Sequence, residues 1–354
     1  MKTIFDKKHI SRTTTYLLVI VAYIVLTILQ KTGNLGSLFS GLLVPVCCFI
    51  VAGIGLNLNV GISGELNLGQ AGFMSVGGFT GVIVSGALST MIPNGIIRLI
   101  IVIICGAIVA GIFGYLIGIP VLKLQGDYLA IVTLAFGQII MSLINNLYIG
   151  IDKNGFQVSF INNTLELGEG GRVLLSGPMG ANGIDRIATF TAGIILVLVA
   201  LAIVYNLMYS RNGRAIMATR DNRIAAESIG IHVANTKMLA FVTSASLAGA
   251  AGALYGMNFS TLMPLNFDFN SSILILVYVV LGGLGNMKGT IISTAILMVL
   301  PELLRSLQNY RMIIYAIILI LIMLVSNNAT AKEKISGLFK FLKKNKAEGV
   351  EANE

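Results

Sequence analysis

Apolar runs close to twenty residues long recur along this whole chain, and they restrict its fold more than any other feature. They lie at about 14–30, 38–60, 70–91, 95–122, 128–148, 187–208, 238–257, 272–281, 287–304 and 312–326. Most approach the ~20 residues that an α-helix needs to cross bilayer hydrocarbon. Lipid offers the backbone no hydrogen-bond partners, so only helices and closed barrels can span it. The strand alternation that a barrel requires is missing from these runs. Charged residues make up 11% of the chain and hydrophobic ones 56%, against roughly a quarter charged in a soluble domain. The expected fold is all-α, a polytopic transmembrane helical bundle of about ten spans.

The basic residues set an orientation. Of 24 Lys and Arg, four precede residue 13, five lie from Arg211 to Lys237, and six follow residue 331. Clustering at termini and in one loop is the pattern of cytoplasmic segments. It also argues against a nucleic-acid partner, despite a net charge of +9. An even span number puts both termini on one side, and residues 209–237 with them. The expected organisation is a cytoplasmic N-terminal segment (1–13), a membrane domain (14–329) and a cytoplasmic tail (330–354), in a cell membrane. The connection 149–186 then falls outside; its glycines read as loop, with short hairpin elements allowed. The tail carries Leu338, Phe339, Phe341 and Leu342 among lysines, which suits either an anionic lipid surface or plain solvation. The run after Arg12 lacks a small-x-small cleavage site and reads as a first span.

Reaction chemistry is hard to find. Cys47, Cys48 and Cys105 sit in apolar runs without histidine at metal-ligand spacing and read as packing residues. The stretch GGLGNMKGT resembles a phosphate loop at a glance, but Lys288 precedes Gly289 instead of following a glycine. No catalytic residue, metal ligand or cofactor is expected, so the chain reads as a non-enzyme. Energised work would draw its fuel through another chain.

Two segments depart from simple spans. Residues 56–81 mix Asn57, Asn59, Ser63, Glu65, Asn67 and Gln70 with Gly61, Gly64, Gly69 and Gly72. Polar side chains and irregular backbone at membrane depth survive only inside protein or along a water-filled route. Residues 277–293 are interrupted by Gly282, Gly283, Gly285 and Gly289. One break in each half is the mark of a transporter's internal repeat. Close helix packing is the competing reading. Packing alone does not call for Glu65, Asn67 and Gln70, so 61–70 points to a translocation path; for 282–289 both readings stand.

The third departure is polar: SRNGRAIMATRDNRIAAESIGIHVANTK, residues 210–237. Its inner part reads as a short helix, with Asp221 or Asn222 capping the start and Gly230 ending it. Ala225, Ala226 and Ile229 would form a small apolar face, with Arg220, Arg223 and Glu227 supplying charge. This is either a helix for a soluble partner's groove or a solvated connection.

These blocks converge on a family. GISGELNLGQAGFMSVGGFTG, GDYLAIVTLAFGQII, SRNGRAIMATRDNRIAAESIGI and VVLGGLGNMKGTIISTAILMVLPELL together resemble branched-chain amino acid permeases of ATP-binding cassette importers, LivM-like ones in particular. The resemblance implies alternating-access import with a second homologous permease, two cytoplasmic ATP-binding subunits and an extracytoplasmic substrate-binding protein. It implies that Asp221, Arg223, Ala225, Ala226, Glu227, Ile229 and Gly230 couple to the ATPase. It further implies that Asn57, Gly64, Glu65, Asn67, Gly69 and Gln70, with Gly282, Gly283 and Gly285, belong to the path. Two departures are a charged Glu65, often uncharged in the family, and Ser326-Asn327-Asn328 in place of Arg-Pro-x-Gly. A nucleoside or sugar importer permease would look alike. A proton- or sodium-coupled carrier would need an intramembrane carboxylate, for which Glu65 is the candidate.

Overall fold

The computed structural model describes residues 2–33, 36–89, 91–124, 126–152, 155–161, 171–305 and 310–327. The lysine-rich tail and part of the 149–186 connection lie outside the described residues. Twelve α-helices are described: α1 Lys2–Lys31, α2 Ser37–Asn57, α3 Gln70–Leu88, α4 Gly95–Val121, α5 Asp127–Asn145, α6 Phe190–Tyr209, α7 Arg211–Asp221, α8 Arg223–Ser228, α9 Val233–Gly256, α10 Phe269–Gly282, α11 Met287–Leu303 and α12 Arg311–Asn327. Eight helical segments among the described residues are long and apolar enough to cross a membrane. The other two expected spans fall on α11 and α12, of 17 residues each. This is a multi-pass membrane protein with an all-α transmembrane bundle. It divides into two compact units, Met1–Ala295 and Ile296–Glu354. In the second, Arg305 donates to Glu302 at 2.8 Å, one helical turn away.

Helix α9 is the hub of the first unit, and its sequence explains why. Ala240, Ser244, Ala245, Ala248, Gly249, Ala251, Gly252 and Ala253 are all buried. Small residues let backbones approach where lipid supplies no hydrophobic drive toward association. Helix α4 meets this face with its own small residues: a methyl group on Gly249 would stand 2.2 Å from Ala110 Cβ. Helix α3 closes in from another side, and a methyl on Gly77 would stand 2.0 Å from the Gly249 carbonyl oxygen. Opposite its seam, α4 exposes Ile100, Ile104, Ile108, Ile112 and Leu116. That four-residue repeat keeps one stripe of large side chains turned outward to lipid.

Helix α1 packs antiparallel to α6. Thr15 pairs with Tyr205 at 3.0 Å near one end, and Tyr23 meets Thr191 at 3.3 Å toward the other. The connection expected to be loop-like holds three antiparallel strands, β1 Leu147–Asp152, β2 Gly155–Phe160 and β3 Arg172–Ser176, in the order β2-β1-β3. A second ladder joins β4 Ala181–Asn182 to β5 Thr261–Leu262. Nearby, Arg98 of α4 is buried and donates to Asp185 at 2.9 Å.

Candidate translocation and coupling site

The first expected break is real and lies inside protein. Helix α2 runs on into a π-helical turn, Leu58–Ser63, and stops at Gly64, whose φ of 75° suits a residue without Cβ. Non-helical backbone then leads to Gln70 at the start of α3. Asn57, Asn59, Ser63, Asn67 and Gln70 are essentially inaccessible.

Several of the freed polar groups draw on other helices, and one is answered within the break. The Asn67 carboxamide oxygen accepts from the Gly69 N–H at 2.9 Å. Gln70 Nε2 donates to the Ala52 carbonyl at 3.1 Å, and Ser244 Oγ donates to Gln70 Oε1 at 3.3 Å. The Leu68 N–H reaches Thr133 Oγ1 and the Ala71 N–H reaches Ser272 Oγ, both at 3.0 Å. A methyl on Gly69 would stand 2.5 Å from the Thr133 carbonyl oxygen. Both side-chain polar atoms of Asn59, and Ser63 Oγ, are buried without a hydrogen-bond partner from the protein. Such atoms are rare because their desolvation costs free energy.

The second break meets the first. Asn57 Nδ2 donates to Thr290 Oγ1 and its Oδ1 accepts from the Gly285 N–H, both at 2.7 Å. A methyl on Gly61 would stand 2.2 Å from that same Gly285 nitrogen. Gly283 and Gly285 hold φ of 91° and 78°. Gly282 instead serves packing: a methyl there would stand 2.5 Å from Gly289 carbonyl carbon.

The polar stretch forms two helices, α7 and α8, where one short helix was expected. Ser210 caps α7 by accepting from the Gly213 N–H at 3.1 Å. Asn222 caps α8 through the Ala225 N–H at 3.0 Å, whereas Asp221 is the last residue of α7. At its far end the Ile231 N–H bonds the Ala226 carbonyl and the Gly230 N–H bonds the Glu227 carbonyl, both at 3.0 Å. With Gly230 at φ 84°, that double bond pattern is a Schellman stop. The apolar face divides differently from expectation. Ala226 is buried against the bundle, while Ile224 is 78% and Ile229 76% exposed, with Ala225 beside them. Arg223 and Glu227 pair along the outer surface at 3.1 Å.

Two side chains join these parts: Arg220, read from the sequence only as a charge beside the short helix, and Lys237, which the sequence did not single out. Arg220, on the last turn of α7, donates from Nη1 to the Gly61 carbonyl at 2.9 Å. Its stem lies over Gly64, where a methyl would stand 2.6 Å from Arg220 Cγ. Lys237, near the start of α9, forms an ion pair with Glu65. The carboxylate that an ion-coupled carrier would use is therefore engaged by a lysine. Spacing alone carried no signal for these partners. Thr133, Ser244, Ser272 and Thr290 were legible only as small polar residues within apolar runs.

A family model described as branched-chain amino acid transport system / permease component matches residues 38–323. The chain belongs to this family. Among its relatives, the chain is 33% identical to the high-affinity branched-chain amino acid transport system permease protein LivM of Salmonella typhimurium. It is 34% identical to that of Escherichia coli, each match covering 78% of this chain and 66% of the relative. It is 24% identical to the fructose import permease protein FruG of Bifidobacterium longum, over 63% of this chain and 64% of that one. The chain thus spans just under two thirds of the length of these relatives. No solved structure matches it.

Proposed function

We propose that this chain is the membrane-spanning permease subunit of an ATP-binding cassette importer that admits branched-chain amino acids to the cytoplasm. In this reading it pairs with a second, homologous permease, two cytoplasmic ATP-binding subunits and an external substrate-binding protein. Both termini and the α7–α8 pair face the cytoplasm, and the three-stranded sheet faces outside. ATP-driven closure of the ATP-binding subunits displaces α8 and rocks the helices around the path.

The observation that carries this reading is the buried break from Asn57 to Gln70. Asn59 and Ser63 keep polar atoms there that no protein group satisfies, which suits a route shared with water or solute. Gly64, Glu65, Asn67, Gly69 and Gln70 form its bend, and Gly282, Gly283 and Gly285 approach it from the second half. On α8, Ile224, Ala225 and Ile229 offer an apolar outer face, framed by Arg223 and Glu227, to a groove on the motor subunit. Ala226 and Gly230 hold that helix against the bundle and end it. The likeness to LivM, named for branched-chain amino acid transport, supports branched-chain amino acids as the substrates. The likeness to a fructose import permease supports a second reading, a sugar.

Reconstitution of the complete five-subunit importer in liposomes tests this. Uptake of labelled branched-chain amino acids should require ATP inside and the binding protein outside. Uptake of fructose alone would transfer the assignment to sugars. Transport by the purified chain without ATP would overturn it.

A further inference from the structure

We propose that Arg220 and the Glu65–Lys237 pair form a clasp that transmits movement of α8 to the break in the membrane helix. The proposal rests on the reading of α8 as the ATPase-docking helix. It also reassigns Glu65 from lining the path to carrying force.

The connectivity is direct. Helix α8 is flanked in sequence by α7 and α9, and the last turn of α7 and the first turns of α9 each reach the break. On one side the Arg220 guanidinium spans two acceptors. Nε and Nη2 hold Asp221 Oδ1 at 3.0 and 2.9 Å, while Nη1 holds the Gly61 carbonyl at 2.9 Å. Its methylene stem fills the space over Gly64. On the other side Lys237 grips Glu65, with both side chains nearly buried, 13% and 11% exposed. Residues 61–65 are thus held from both ends of the segment that contains α8.

Chemistry favours a mechanical role for these contacts. Gly61 lies in a π-helical turn, where carbonyls are displaced from the regular ladder and free to accept from outside. Gly64 closes that turn in a left-handed conformation, a hinge geometry that a helix cannot adopt. Gly61 also abuts Gly285, so a pull on its carbonyl reaches the crossing of both breaks. A nearly buried ion pair is stiff in this setting: separating it would strand a charge away from water. Rigid elements joined by such contacts carry coupling only if both move together.

The test uses the complete importer in liposomes, scoring substrate molecules moved per ATP hydrolysed. Glu65→Lys, Lys237→Glu and Arg220→Gln should each lower that ratio about tenfold, within the span of measured allosteric couplings. The exchanged pair Glu65→Lys with Lys237→Glu should recover most of it. Singles that transport with the unaltered ratio would overturn the clasp. So would an exchanged pair that is no better than either single. If the single variants fail to assemble and the exchange restores only assembly, the pair is a structural brace and the proposal fails. An unaltered complex with no binding-protein-stimulated ATP hydrolysis would instead refute the importer reading itself.

Discussion

The carboxamide of Asn57 accepts a 2.7 Å hydrogen bond from the amide of Gly285, 228 residues away, and donates another to Thr290. One buried side chain therefore stitches the helix break of the first half to that of the second. Asn57→Leu would leave the part-buried Gly285 N–H without its partner, a cost of about 1–3 kcal/mol for the stranded group, while the Thr290 hydroxyl keeps its 3.1 Å bond to the Asn286 carbonyl. The variant should show a lower midpoint for thermal loss of the monodisperse peak in detergent. An unchanged midpoint would mean that Asn57 does not tie the breaks.

The seam between α4 and α9 should be far less tolerant than the lipid face of α4. At Gly249 a methyl group already falls 2.2 Å from Ala110, and overpacking costs about 1–3 kcal/mol or more. Gly249→Leu should sharply reduce folded protein recovered from membranes. Ile108→Leu, at a 57% exposed position, should leave recovery unchanged. Equal yields from the two would contradict the packing described.

The outward residues of α8 should govern motor coupling. Ile224→Asp and Ile229→Asp should reduce binding-protein-stimulated ATP hydrolysis at least tenfold while membrane insertion stays normal, since apolar anchors dominate such contacts. Ala226→Asp should instead lower the amount of folded protein, because that side chain is buried. Normal stimulation in both isoleucine variants would remove α8 from the motor interface.

Arg98 and Asp185 should respond unequally to substitution. The arginine side chain is 7% exposed and the aspartate 60%. Asp185→Asn leaves a buried guanidinium without its counter-charge and should cost ~1.5–3 kcal/mol, the worth of a hydrogen bond to a charged group. Arg98→Leu leaves a carboxylate that water can solvate and should cost less. Thermal unfolding of the two variants, compared side by side, decides this.

Labelling should reveal opposite sidedness for two exposed positions. Met179, 65% exposed beside the sheet, and Ile224 on α8 are each replaced by cysteine. An impermeant maleimide should modify Met179→Cys in intact cells and Ile224→Cys only after lysis. The reverse pattern would invert the proposed orientation.

Most of the bundle was readable in one dimension, because a bilayer demands long apolar helices and each declares itself locally. The capped α8 and the stop at Gly230 were legible for the same reason: capping depends on residues within one turn. The break at 56–81 announced itself through Asn and Gln where lipid tolerates neither. What composition could not reveal was who answers those polar groups. Thr133, Ser244, Ser272 and Thr290 become partners of the break only once α5, α9, α10 and α11 pack around it. The inward turn of Ala226, the second helix α7, and the grips of Arg220 and Lys237 likewise depend on packing. A hydrogen bond acts over 3 Å of space and is blind to distance along the chain. Local periodicity therefore disclosed the helices, and their mutual packing chose which residues meet.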